Sequence, residues 1–256
     1  MSTEQKALTL KDLHEAPEIL RVVNVWDPIT TKVVSALPAT KAVATAGHSV
    51  AASHGYKDGE IPLDLMIAAV ERIAAATDLP VTADLDDGYD DPGETIRRAI
   101  GVGIVGANIE DRLRPLADSV ARVRAVVRAG EAEGVAFQLN ARTDALLRGG
   151  DRPLSESLAD AIERGRAYLE AGASLVFVPG KLDREATSIL VDGLGRGKLS
   201  VIGVPGALGA ADYQELGVAR ISYGPWTQRY ALTAFEELAL SLYDDGTVPA
   251  STKVLN

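Results

Sequence analysis

Residues 81–111 read VTADLDDGYDDPGETIRRAIGVGIVGANIED. The stretch opens on a short apolar run, Val81–Asp86, that ends in acids. Asp91-Pro92 then supplies a helix start, a capping carboxylate followed by a ring with φ already fixed. Glu94–Val102 has helical spacing, and Gly106–Asp111 is a second apolar run, again ending in acids. The unit is strand, helix, strand.

The rhythm continues in both directions. Strand-like runs occupy Ile19–Asp27, Ala42–Gly47, Ala136–Thr143, Leu175–Pro179, Leu199–Pro205 and Arg220–Gly224. Helical patterns fill the intervals at Leu63–Ala76, Ala117–Glu133, Ser155–Ala171 and Arg184–Gly193, and a long helix is expected over Pro225–Tyr243. Several strands are almost continuously apolar, as in a parallel sheet covered on both faces. Eight strand–helix units without a composition break predict one α/β domain over residues 1–256, a (β/α)₈ barrel of the TIM type with a short helical lead-in and a C-terminal tail. A doubly wound sheet is the alternative.

Composition narrows the function. The chain has 256 residues, 26 Lys+Arg against 36 Asp+Glu, a net charge of −10 and no cysteine. The acidic balance argues against nucleic acid and anionic membranes as partners, because their binding draws on basic excess. Without cysteine there is no disulfide, thiolate metal site or thiol nucleophile. No apolar run reaches the ~18 residues of a membrane span, and the N-terminus lacks the pattern of a signal peptide. A cytoplasmic protein is expected.

In a parallel barrel the chemistry sits at the C-terminal strand ends. Those ends read Thr45-Ala46-Gly47-His48, Asp84-Leu85-Asp86-Asp87-Gly88, Glu110-Asp111-Arg112 and Arg142-Thr143-Asp144, and Asp58 lies in a loop that reaches the same rim. Carboxylates converging without histidine or cysteine favour a hard cation, Mg²⁺ with Mn²⁺ as a substitute. If the strand persists, Asp84 and Asp86 share a side and Asp87 becomes a turn residue. Arg142 suits a carboxylate or phosphonate, which a guanidinium grips with two bonds. His48 carries two readings, packing beside its loop or proton transfer near neutral pH.

Taken together, the stretches NVWDPITTKVV, ATAGHSVAASHGYKDGE, VTADLDDGYDDP, VGANIEDR and LNARTDA resemble the isocitrate lyase/phosphoenolpyruvate mutase superfamily, and AGASLVFVPG and LGVARISYGP extend the match to about Pro225. The resemblance implies a (β/α)₈ barrel, often with its last helix exchanged in a homodimer or homotetramer, acting on a small 2-oxo or 2-hydroxy acid. It implies cleavage of a C–C or P–C bond through a metal-stabilised enolate or carbanion. It makes Asp84 the direct metal ligand, with Asp58, Asp86 and Glu110 holding the metal through water. It gives the amides of Ala46, Gly47 and His48 to the 2-oxo acid, beside Thr45, and Arg142 to substrate and leaving group. Catalytic roles then fall to Arg142, His48 and Glu110.

The departures from the family count as well. Thiol-dependent lyases of the family carry a cysteine-bearing lid after the Glu-Asp strand end. Here Asp111 is followed by Arg112-Leu113-Arg114-Pro115-Leu116 and the next helix begins. The lid lysine and asparagine of the mutases are absent too. A C–C lyase of a small dicarboxylate is the leading expectation. Phosphonate P–C chemistry and a non-catalytic 2-oxo-acid binder are the alternatives, and helix exchange stays open.

Other signals carry less. Gly101-Val102-Gly103-Ile104-Val105-Gly106 matches G-x-G-x-x-G but ends a helix instead of opening one. Gly193–Lys198 reads as a helix stop, Trp26 as packing, Asp27 as a helix cap, and His14 and His54 as surface and loop residues.

Overall fold

In a computed structural model, which describes residues 1–255, eight parallel strands close into a barrel in chain order. They are β1 (Leu20–Val25), β2 (Val43–Thr45), β3 (Val81–Asp84), β4 (Gly106–Glu110), β5 (Gln138–Arg142), β6 (Leu175–Phe177), β7 (Leu199–Ile202) and β8 (Arg220–Ser222). The helices are α1 (Thr3–Glu15), α2 (Pro28–Ser35), α3 (Gly47–Ser53), α4 (Leu63–Ala75), α5 (Pro92–Gly101), α6 (Leu116–Ala132), α7 (Leu154–Glu170), α8 (Arg184–Leu194), α9 (Ala210–Leu216) and α10 (Trp226–Asp244). The expected (β/α)₈ barrel is the observed fold. Among the described residues no helix is long and apolar enough to cross a membrane.

Local chemistry sets the element ends. Asp27 accepts a 2.7 Å bond from the Thr30 amide at the start of α2, and Asp91 accepts from Gly93 and Glu94 at 2.9 and 3.1 Å at the start of α5. Gly195, at φ 103°, ends α8 within the Gly193–Lys198 stretch, so that stretch is a helix stop.

Register divides each strand into two faces. Val81, Ala83, Ala107, Leu139, Ala141, Val201 and Ile221 are buried on the face turned to the helices. The opposite face lines the barrel and is more polar than the continuous apolar runs suggest. Asn24, Thr82, Asn108, Gln138, Asn140, Ser200, Arg220 and Ser222 all lie on it, and all are buried. Asn140 Nδ2 donates to Asn108 Oδ1 at 2.8 Å and to Ser200 Oγ at 3.2 Å, which ties three strands together.

Helix α1 lies across the N-terminal end of the barrel. Lys6 Nζ donates to the Thr77 carbonyl ahead of β3, and Leu10 packs where a side chain on Gly106 would otherwise stand. This placement corrects the surface reading of His14, which is only 4% exposed. The open barrel floor draws it inward with Ala7 and Leu10, the apolar residues beside it on the same face.

Candidate active site

At the opposite end, the C-terminal strand ends surround a cavity of about 410 Å³. Asp58, Asp84, Asp86 and Glu110 line it, with His48, Arg112, Arg142, Arg148 and Arg229 among the facing residues. A larger groove, about 520 Å³, lies outside it between the β7–β8 region and α10, but it is apolar and holds no carboxylate. The acids and arginines of the strand ends gather in the smaller cavity.

Asp84 closes β3. Its Oδ2 accepts a 3.0 Å hydrogen bond from the Gly47 amide, and its own amide donates to Thr45 Oγ1 at 3.0 Å. Burial pushes the Asp84 carboxyl above its ordinary range, partly offset by Arg142. The alternation argument for Asp86 fails, because β3 ends at Asp84 and Asp86 turns into the left-handed region at φ 53°. That turn still delivers Asp86 to the cavity. Burial first, then the charges of Asp84, Glu110 and Asp58, raise its carboxyl to about 7. Its Oδ2 is buried and has no hydrogen-bond partner among the described residues.

Glu110 and Arg142 are register partners on β4 and β5, so their side chains meet, at 2.9 Å. Arg142 also binds Asp144 at 2.7 Å, and Asp144 is fully enclosed. Burial acts against the Arg142 cation, yet Glu110, Asp144 and Asp84 together hold it more firmly protonated than usual. Arg112 donates to the other side of Glu110 at 3.0 Å. Arg112 and Leu113 both have positive φ, 49° and 53°. Left-handed backbone at bulky residues is strained and persists where the surroundings impose it. Here Asp111 Oδ1 fixes the turn by accepting from the Leu113 amide at 2.9 Å and the Asp144 amide at 3.0 Å. Arg112 and Arg114 are thus ion-paired to Glu110 and Asp87, not free surface charges.

The anion-binding loop differs from expectation. The Ala46 amide donates to the Val25 carbonyl, and Gly47 donates to Asp84. Thr45 is buried on the far side of β2, and its hydroxyl supports β3. His48 remains on the cavity wall, its Nδ1 buried and unpartnered. Asp58 stands exposed at the rim. Sequence reading missed Arg148 and Arg229. Arg229 leaves the first turn of α10, stacks over Trp226 at 4.6 Å and forms no ion pair among the described residues, unlike Arg112, Arg142 and Arg148. Its place in the first turn of a helix that begins just past the β8 end was the available signal.

Among the described residues no three carboxylate or imidazole groups surround a single point closely enough to hold a metal alone. The donors are all oxygens, one of them buried and unpartnered on Asp86. That fits a hard cation held by one or two protein oxygens, with water and ligand completing its shell.

Comparison with known proteins gives a consistent likeness. The family model described as phosphoenolpyruvate phosphomutase matches residues 10–243. The Probable 2-methylisocitrate lyase 1 of Corynebacterium glutamicum is 26% identical, over 91% of this chain and 80% of its own length. A candidate phosphonomutase from Burkholderia cenocepacia J2315 superposes with a TM-score of 0.87 at 34% identity, covering 94% of this chain and 99% of its own. The structure of 2,3-dimethylmalate lyase, a PEP mutase/isocitrate lyase superfamily member, superposes with a TM-score of 0.85 at 27% identity, covering 97% and 91%.

Proposed function

Since the chain belongs to the phosphoenolpyruvate mutase/isocitrate lyase superfamily, we propose that it is a cytoplasmic, metal-dependent lyase that cleaves a C–C bond in a small 2-oxo or 2-hydroxy dicarboxylate. One observation carries this reading: Asp84, Asp86 and Glu110 line one cavity together with Arg142, which is ion-paired to Glu110, and an Asp86 oxygen there is unpartnered. Mg²⁺ is the cation, with Mn²⁺ as a substitute. Asp84 would be its direct ligand, with Asp86, Glu110 and Asp58 holding it through water. When bound, the cation stabilises negative charge on the substrate oxygen next to the breaking bond.

The chain's own groups supply the rest. Arg142, braced by Glu110 and Asp144, holds the inner carboxylate at a fixed angle. Of the three loop amides expected to bind the 2-oxo acid, Ala46 and Gly47 are taken by Val25 and Asp84, which leaves that of His48 for this carboxylate. Arg229 stands at the rim without an anionic partner and takes the distal carboxylate. His48 is the one histidine on the cavity wall among the described residues, and it returns a proton to the carbon released by cleavage. Because the chain runs from Asp111 into α6 at Leu116 within a few residues, solvent is the competing donor. His48→Gln should keep ligand affinity and lower turnover by ~10²-fold or more. Near-normal turnover would pass the proton to solvent.

The assembly reading is a homodimer or homotetramer. On α10, Tyr230, Phe235 and Leu240 are 79, 67 and 65% exposed, and the apolar 520 Å³ groove runs alongside. A second copy's α10 would cover both. Light scattering on the intact chain tests this, and a monomer at micromolar concentration contradicts it.

The activity test is a panel of 2-oxo and 2-hydroxy dicarboxylates with Mg²⁺, followed by release of pyruvate or glyoxylate. The second reading is P–C bond chemistry, favoured by the 34% identity to the Burkholderia cenocepacia protein. Turnover of a phosphonate in the same panel, with none of the dicarboxylates, would select it.

A further inference from the structure

Arg220 is the largest fully buried side chain among the described residues, at 0% exposure. It lies on the inward face of β8, in register with Ser200 on β7 and Leu20 on β1. Its Nε, Nη1 and Nη2 have no hydrogen-bond partner among the described residues. Other unpartnered atoms share the barrel interior: Thr82 Oγ1 on β3, Asn140 Oδ1 on β5, and both ring nitrogens of His14 on the floor helix. Buried polar groups are nearly always paired, and an uncompensated buried ion costs several kcal/mol. So many orphans in one interior call for a guest.

The chemistry of the set identifies the guest. Burial lowers the Arg220 guanidinium to about 10, opposed by Asp84, which leaves it cationic at neutral pH. The same burial, with Arg220 adding to it, depresses His14 to about 3, so His14 is neutral and brings one N–H. Arg220 offers five N–H donors, and the Thr82 and Ser200 hydroxyls can each turn a proton inward. The acceptors, Asn140 Oδ1, one His14 nitrogen and the Gln138 side-chain oxygen beside His14, are outnumbered. Asp84 is the one acid whose charge reaches Arg220, and its Oδ2 is already bound to Gly47. Water would satisfy the donors but would leave the charge.

We propose that the barrel interior beneath the active-site acids binds a small monovalent anion of halide size, held by Arg220 with Thr82, Ser200 and His14 around it. The site is separate from the catalytic cavity and does not depend on the proposed reaction.

Anomalous diffraction from crystals soaked in sodium bromide tests it. The expected result is a bromide peak inside the barrel at hydrogen-bonding distance from the Arg220 guanidinium. Density there without anomalous signal, refining as water, overturns the proposal. In solution, sodium bromide should raise the melting temperature by about 2–4 °C over sodium gluconate of equal ionic strength. Arg220→Met should lose that halide-specific gain. A gain that persists in Arg220→Met removes Arg220 from the site. If Arg220→Met does not fold, the bromide peak in the wild-type crystal decides alone.

Discussion

The Gly47 amide donates a 3.0 Å hydrogen bond to Oδ2 of Asp84, joining the start of α3 to the end of β3. A Cβ at position 47 would stand 3.2 Å from that oxygen and 3.4 Å from Asp84 Cγ. The contact is tight enough that the carboxylate would have to give by a few tenths of an ångström. Gly47 therefore fixes the orientation of the proposed metal ligand by what it donates and by what it lacks.

Gly47→Ala should weaken Mg²⁺ binding about tenfold or more, as loss of a ligand-orienting partner typically does. The melting temperature should move only a few degrees. Calorimetry and thermal melting on the same samples check this. Unchanged affinity would show that Asp84 keeps its geometry without the glycine.

Asp86 gives a pH signature in metal-free protein. Its folded carboxyl titrates at about 7, above the ordinary 3.8. Between those values the folded state holds a proton that the unfolded state has lost, so stability falls as pH rises. Asp86→Asn should raise stability at pH 8 by about 2–4 kcal/mol and leave it little changed at pH 4. Urea denaturation at both pH values measures the difference. Equal effects at the two would remove titration of Asp86 as the cause.

His14 acts with the opposite slope. Its folded value is about 3 against 6.5 when exposed. Below pH 6.5 the unfolded state gains a proton that the folded state refuses, so stability drops as pH falls toward 3. The loss is at most about 5 kcal/mol. His14→Gln should flatten that acid limb between pH 6 and 4. A limb as steep as the wild type's would assign acid unfolding to other groups.

On the proposed reading, Arg142 holds the inner carboxylate and Arg229 the distal one. Arg229→Met should weaken a dicarboxylate such as oxaloacetate by about tenfold and spare pyruvate, which has no distal acid. Arg142→Lys keeps the charge but loses the planar fork and should weaken both ligands. Competition binding with the two acids separates the roles. Equal losses for both ligands in Arg229→Met would contradict a distal role.

The barrel was legible because strand ends and helix caps are local: Asp27-Pro28 and Asp91-Pro92 announce their helices without help from distant residues. The acids of the site were legible for the same reason, since they cluster at strand ends. What depends on long-range packing was not. Asp86 reaches the cavity through a left-handed turn, not through strand alternation. Thr45 and the Ala46 and Gly47 amides find partners on β1 and β3 that sequence does not reveal. His14 sits in a polar-looking segment, and only closure of the barrel floor buries it. Arg229 lines the cavity because α10 starts over it, and only its distance past the β8 end, not the composition around it, hinted at that.

The most direct test is calorimetric titration of pyruvate into the wild-type protein and Asp84→Ala, each with and without Mg²⁺. The account predicts pyruvate binding by the wild type that requires Mg²⁺ and falls by ~10²-fold or more in Asp84→Ala. Pyruvate affinity that is the same without metal, or that survives in Asp84→Ala, would contradict a metal-dependent 2-oxo acid site built on Asp84.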